Sequence, residues 1–359
     1  MTRPPDTRPV RPSEQLDWDS LAAYLRALLP GMAGLTFDAE APLEVEQFPG
    51  GHSNLTYLLR FGGDELVLRR PPFGPVAPKA HDMAREFRIL RALHPVFPLA
   101  PRPLMLCEDT QVVGSVFYLM ERRRGLVVRA VEPPELEGRP EERRRASAAV
   151  VDALARLHSV DVRAHGLDAL GKPAGFVERQ VRGWAERWRG SQTGELPEMD
   201  ALAAWLAERL PADPARPTLV HGDYKLDNVM LDAGDVGSVV GVFDWEMSAV
   251  GDPLVDLGIL LGYWVHTATA EQRDSVATVM NREGWFTRDE ILARYGAGTG
   301  SDLAGVGFYE VFAVFKLAVV LQQIFFRYQR GQTDDPRFAA LGERVAWLAR
   351  VATALAEKQ

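Results

Sequence analysis

The chain has 359 residues, with 41 Lys+Arg against 49 Asp+Glu and a formal net charge of −8. A hydrophobic share of 47% beside 25% charged residues is globular composition and excludes a disordered or fibrous chain. The acidic balance argues against a general nucleic-acid binder, and a single cysteine, Cys107, excludes a disulfide framework and a cysteine-rich metal site. A reducing, cytoplasmic setting is expected. At roughly 150 residues per domain, the length suits about two domains or one two-lobed enzyme.

The amino terminus, MTRPPDTRPVRPSE, lacks the apolar core of a secretory signal, and residues 1–15 read as a flexible tail. Leu16–Leu29 has helical apolar spacing and stops at Pro30-Gly31. Leu43–Phe48, Leu55–Phe61 and Glu65–Arg69 are short strand-like runs separated by Gly-rich turns, as in an antiparallel meander. His81–Leu93 follows as a helix, then Pro103–Cys107 and Ser115–Glu121 as strands. Beyond Arg122 helices dominate: Glu141–His158, Ala174–Trp188, Met199–Leu210, Asp256–His266, Glu271–Glu283, Arg288–Tyr295, Ser301–Arg330 and Pro336–Lys358. One island interrupts them, Thr218–Ser248, with short apolar runs at Val229–Leu231 and Val239–Phe243. The expected order is a small strand-rich lobe, 16–121, and a larger helical lobe, 122–359. The most apolar stretches, Leu254–Val265 and Phe308–Phe326, are broken by Asp256, Glu310, Lys316, Gln322 and Gln323, so no membrane span is expected.

The island carries the chemistry. In LVHGDYKLDNVMLD, Asp223 precedes Asn228 by five positions, and Asp244 ends the apolar run Val239–Phe243. An Asp and an Asn on one loop, with a second Asp closing a nearby strand, can converge on a divalent cation. Their hard oxygens suit Mg²⁺, whose shell substrate phosphates complete. The remaining carboxylate can then take a proton from a hydroxyl nucleophile. This combination points to phosphoryl transfer, with Asp223 as base and Asn228 and Asp244 as metal ligands.

The spacing of His221-Gly222-Asp223 to Asn228 matches the protein-kinase H-R-D-x-x-x-x-N loop, and Phe243-Asp244-Trp245 stands where D-F-G would. Gly222 replaces the Arg, and no A-P-E follows, so a platform for a protein substrate is missing. The chain therefore resembles the aminoglycoside phosphotransferase and choline kinase-like superfamily. VLRRPP (Val67–Pro72), GDPLVDLG (Gly251–Gly258) and YEVFAVFKLAVVLQQIFFRY (Tyr309–Tyr328) further resemble the kinase-like domain fused to some acyl-CoA dehydrogenases. The resemblance implies an α+β, bilobal protein kinase-like fold: a small antiparallel-sheet N-lobe, a larger mainly helical C-lobe, and ATP bound between them.

Under that resemblance FPGGHSNLTY covers the phosphates, with Gly50 and Gly51 allowing close backbone approach and Ser53 and Asn54 among the donors. Arg69 takes the place of the phosphate-binding cation on the third strand. Alternation puts it on the interior face with Val67 and leaves Arg70 to solvent. Glu86 is its expected partner. Glu121 to Arg123 fall at the inter-lobe hinge, where backbone groups would bind adenine. Asp256 is expected to brace the catalytic loop, Asp252 to cap a helix and His221 to organise the loop.

The Arg-rich stretches Arg122–Arg129 and Glu141–Ser147 read as hinge edge and solvated helix rather than as a nucleic-acid surface. The expected partner is a small hydroxylated molecule. The resemblance suggests a hydroxyacyl-CoA or a hydroxy acid. The alternatives are an aminoglycoside- or amino-alcohol-type kinase, a phosphate-ester hydrolase, or a catalytically silent nucleotide-binding module.

Overall fold

The structure is a computed structural model. It describes residues 6–32, 36, 38, 40–49, 54–74, 81–129, 131–266, 280–333 and 335–359, with the side chains of 265 and 266 excepted. The chain divides into two compact units, Met1–Arg123 and Arg124–Gln359.

The first unit is built on five strands: β1 (Leu43–Gln47), β2 (Leu55–Phe61), β3 (Asp64–Arg70), β4 (Pro103–Cys107) and β5 (Phe117–Glu121), in the antiparallel order β1-β2-β3-β5-β4. The β2–β3 hairpin closes with Phe61 opposite Asp64, and Gly62 takes the turn's positive φ of 58°. Tyr57, Leu59, Phe61, Leu66 and Leu68 pack with Leu21 and Leu25 of helix α1 (Trp18–Leu28). On the opposite face Tyr118 meets Phe87 of helix α2 (Met83–Leu93), ring centroids 6.1 Å apart. Asp17 and Asp82 cap the two helices through the Ser20 and Arg85 amides, each at 2.9 Å.

Two expectations change here. Residues 6–15 are not a loose tail. Arg8 and Gln47 exchange main-chain hydrogen bonds of 2.9 and 2.7 Å, and the Tyr57 hydroxyl donates to the Glu14 carbonyl. The open edge of β1 supplies unpaired main-chain groups that capture the segment despite its Pro/Arg composition. Arg70 does not face solvent either. It is 3% exposed, donates to the Val113 carbonyl at 3.1 Å and stacks on Phe73. Both faces of the sheet are covered, so alternation sorts residues by face without leaving one face wet.

In the second unit helices α3 (Pro140–Ser159), α4 (Phe176–Ser191), α5 (Pro197–Glu208), α6 (Leu254–Leu261), α7 (Arg288–Thr299), α8 (Val306–Gln329) and α9 (Leu341–Ala356) surround short strands. β8 (Val229–Leu231) pairs antiparallel with β6 (Leu126–Val127) and β9 (Val239–Val242), while β7 (Thr218–Val220) pairs with β10 (Ala249–Gly251). The helix expected over Glu271–Glu283 lies largely outside the described residues. By length and composition α8 could cross a membrane. However, 72% of its most apolar window is buried in the unit, against α4, α6 and α9. The Arg-rich start of α3 is ion-paired. Arg143 is buried against Glu132, Arg144 meets Glu290, and Arg145 meets Glu142 and Asp235.

Candidate active site

The strand register brings the island together. β7 delivers His221 at its end, and a 3₁₀ turn, Leu226–Asn228, leads into β8. Val229 pairs with Val242, and the Phe243 amide donates to the Asn228 carbonyl at 2.9 Å. Asn228 and Asp244 therefore stand at the same end of the β8–β9 pair. Asp244 has a φ of 70°, a conformation costly for a non-glycine residue and one that recurs at functional sites.

His221 is fully buried and ties the loop to this hairpin. Its Nδ1 accepts from the Asp223 amide at 3.2 Å, and its Nε2 faces the Phe243 carbonyl at 2.9 Å. Burial pulls the imidazole below its ordinary value, which suits a neutral ring acting as a bridge rather than as a base. Asp256, on α6, accepts from the His221 and Gly222 amides at 2.6 and 2.7 Å, and His158 of α3 reaches it at 3.2 Å. Asp252 caps α6 through the Leu254 amide at 2.9 Å and accepts from Tyr309. These contacts agree with a bracing Asp256 and a capping Asp252.

Gly222 has a φ of 82°, and a Cβ there would stand 2.7 Å from the Met247 carbonyl oxygen. The space that an arginine side chain would need at this point of the loop is closed.

The Asp223 carboxylate Oδ2 accepts from Lys225 Nζ at 2.6 Å and from Asn228 Nδ2 at 3.1 Å, and Asn228 Nδ2 also donates to the Asp223 carbonyl at 2.9 Å. Burial alone would raise this carboxyl. Lys225 and Lys316 outweigh it and hold the group below the usual carboxylate range. Lys225 lies 4.9 Å from the Tyr263 ring centroid, and burial pushes that phenol up to about 12, so it stays neutral. The Asp227 Oδ1 is buried without a hydrogen-bond partner among the described residues, and burial raises its carboxyl.

In the first unit Arg69 Nε donates to Glu86 Oε2 at 3.1 Å, with the Glu86 side chain 2% exposed. Asn54 is buried, and its Oδ1 lies 2.8 Å from His81 Nδ1. Gly50, Gly51 and Ser53 lie outside the described residues. Glu121 Oε1 accepts from the Arg102 amide at 2.7 Å and from Arg123 Nε at 2.8 Å, and Arg123 also donates to the Pro98 carbonyl.

Sequence reasoning passed over Lys225, Lys316 and His158 as site residues. Lys225 had a signal, two positions after Asp223 in the same motif. Lys316 showed only as a charge inside an apolar stretch.

The chain belongs to the phosphotransferase enzyme family, whose profile matches residues 44–291. Its fold is the aminoglycoside phosphotransferase-like kinase fold, of the α+β class. It is 35% identical over 357 residues to acyl-CoA dehydrogenase family member 10 of Mus musculus, covering 99% of this chain and 32% of that protein. The chain thus spans about a third of the length of this relative. A solved structure from Ralstonia eutropha, provisionally named an aminoglycoside phosphotransferase, is 29% identical with a TM-score of 0.77, covering 96% of this chain and 99% of that one. The GDP and kanamycin complex of APH(2")-IIIa shares the fold alone, at 14% identity and a TM-score of 0.59, over 92% of this chain and 99% of that one.

Proposed function

We propose that the protein is an ATP- and Mg²⁺-dependent phosphotransferase that phosphorylates a hydroxyl group of a small molecule, of the hydroxyacyl-CoA or hydroxy-acid class. The observation that carries this reading is the Asp223 carboxylate, held by Lys225 and Asn228 on the loop beside the strand end that presents Asp244. Family membership supports phosphoryl transfer. The nucleotide in a fold relative supports a nucleoside triphosphate as donor. Homology to a protein named for acyl-CoA dehydrogenation supports the acceptor class.

Asp223 takes the proton of the acceptor hydroxyl as its oxygen forms a bond to the γ-phosphorus. The bond from that phosphorus to the β,γ-bridging oxygen breaks, and the electron pair leaves with ADP. Lys225, 2.6 Å from the Asp223 carboxylate, is read as a cation beside the transferred group. Arg69, held by Glu86, is read as the cation for the α- and β-phosphates, with Gly50, Gly51, Ser53 and Asn54 as the cover. Glu121 and Arg123 are read as the adenine edge. One amide and one carboxylate oxygen, Asn228 Oδ1 and Asp244, fit a Mg²⁺ that keeps phosphate and water ligands. When bound, that ion supplies charge neutralisation at the phosphate oxygens. The remaining catalysis is positioning and electrostatics.

A polycationic aminoglycoside is the weaker reading, because Lys225 already places a cation 2.6 Å from the Asp223 carboxylate. The test is a screen of hydroxylated metabolites, including hydroxyacyl-CoAs and aminoglycosides, for ATP- and Mg²⁺-dependent phosphorylation. A product from a hydroxyacyl-CoA or hydroxy acid is expected. Turnover of aminoglycosides alone would overturn the acceptor class, and nucleotide binding without any ATP consumption would overturn the kinase reading.

A further inference from the structure

Helix α8 is apolar over most of its length, yet it carries Lys316, with the side chain buried. The Nζ donates to the Gly222 carbonyl at 2.5 Å, and lies 4.0 Å from Met247 Sδ and 5.3 Å from the centroid of the Trp184 ring. All three neighbours are neutral. Burying an ammonium among neutral groups is strongly unfavourable. A methionine of similar length would fill this space without that penalty. The charge therefore calls for a role beyond packing.

The main chain of Gly222 indicates the role. Gly222, which precedes Asp223, is held at both ends of its main chain: its amide donates to Asp256 on α6, and its carbonyl accepts from Lys316 on α8. Burial pushes the Lys316 ammonium below its ordinary value, and the Asp223 carboxylate opposes that. Asp256 attracts the same ammonium, while Lys225 and Arg187 repel it.

We propose that Lys316 is a positioning residue for phosphoryl transfer, fixing the Gly222–Asp223 peptide from α8 through the Gly222 carbonyl. The inference rests on the reading of Asp223 as the base. Lys316 acts through that residue and through its peptide.

The test compares the native chain with Lys316→Met, Lys316→Arg and Asp223→Asn. Four quantities are measured: phosphate release from Mg²⁺-ATP with water as acceptor, affinity for a fluorescent ATP analogue, melting temperature, and amide hydrogen exchange across Leu219–Asn228. In Lys316→Met, turnover is expected to fall about 10²-fold, as for a base displaced by an ångström. Nucleotide affinity and melting temperature stay near native. The Gly222 and Asp223 amides exchange roughly tenfold faster as the loop opens locally. Lys316→Arg restores part of the turnover and part of the protection.

Native exchange in the methionine variant would overturn the inference, and so would native turnover. A melting temperature that falls in step with turnover would reduce Lys316 to a packing residue and overturn it as well. Native turnover in Asp223→Asn would instead sink the base reading. The exchange data and the arginine variant would then still decide whether Lys316 holds the peptide.

Discussion

Asn228 Nδ2 donates to two oxygens of Asp223, the main-chain carbonyl at 2.9 Å and the carboxylate Oδ2 at 3.1 Å. With the nitrogen occupied, Oδ1 is the amide atom left for a cation, so on the proposed function one side chain would both lock the base and offer a ligand. Asn228→Ala removes both functions. The Mg²⁺ concentration giving half-maximal turnover is expected to rise roughly 10- to 100-fold. A Mg²⁺ titration of ATP turnover checks this, and an unchanged midpoint would remove Asn228 from the ligand set.

Asp223→Asn keeps the shape of the side chain and abolishes its basicity. Turnover is expected to fall about 10²–10⁴-fold, the usual contribution of a general base. Nucleotide affinity should change only a few-fold, because Asp223 is read as acting on the acceptor. Single-turnover kinetics beside an equilibrium titration separate the two. A loss confined to nucleotide binding would move Asp223 out of its role.

Gly222 occupies a left-handed conformation against the Met247 carbonyl, so Gly222→Ala meets both backbone strain and a 2.7 Å contact. A cost of about 1–3 kcal/mol is expected from the conformation, with turnover falling because the strain lies next to Asp223. Urea unfolding with parallel kinetics tests it. A variant as stable as the native chain would mean that the loop relaxes at no cost.

The candidate catalytic motif was legible because its parts lie close in sequence: the Asp223–Asn228 interval and Asp244, two residues beyond β9, are visible in one stretch. The longer helices and the sheet strands were legible from their apolar periodicity. β6, β7 and β10 were not, since two- or three-residue pairings leave no periodic signal. The contacts of Lys316 with Gly222 and of His158 with Asp256 span 94 and 98 positions, and only the fold creates them. Arg70 was misplaced because alternation states which residues share a face but not whether a helix covers that face.

Arg69 and Arg70 differ in surroundings, and that difference makes a prediction. Arg69 pairs with the buried Glu86, whereas Arg70 donates to main-chain carbonyls and stacks on Phe73. Arg69→Met is expected to raise the KM for ATP by about tenfold or more, as a charge-assisted contact is lost. Arg70→Met should leave that KM alone and change stability instead. The reverse pattern would transfer the phosphate contact to Arg70.

Away from the Asp223 loop, Glu132 is a buried carboxylate held against Arg143 of α3. It accepts from Arg143 Nε and Nη2, both at 2.8 Å, from Arg282 at 2.6 Å and from the Trp285 indole at 3.2 Å. Burial alone would raise its carboxyl, but Arg143, Arg282 and Trp285 outweigh that and hold it below the ordinary value. A carboxyl whose folded value is depressed contributes stability above its unfolded value of about 4.3 and loses it as pH falls through the folded value. Glu132→Gln should therefore cost about 3–5 kcal/mol at pH 7, since it leaves Arg143 buried without its counter-charge. The gap between native and variant should narrow as pH falls below the unfolded value of about 4.3, where the unfolded chain takes up the proton more readily than the native carboxyl does. Unfolding curves for both proteins at pH 7 and near pH 3.5 measure the difference. An equal gap at the two pH values would show that the carboxylate charge does not hold Arg143 in place.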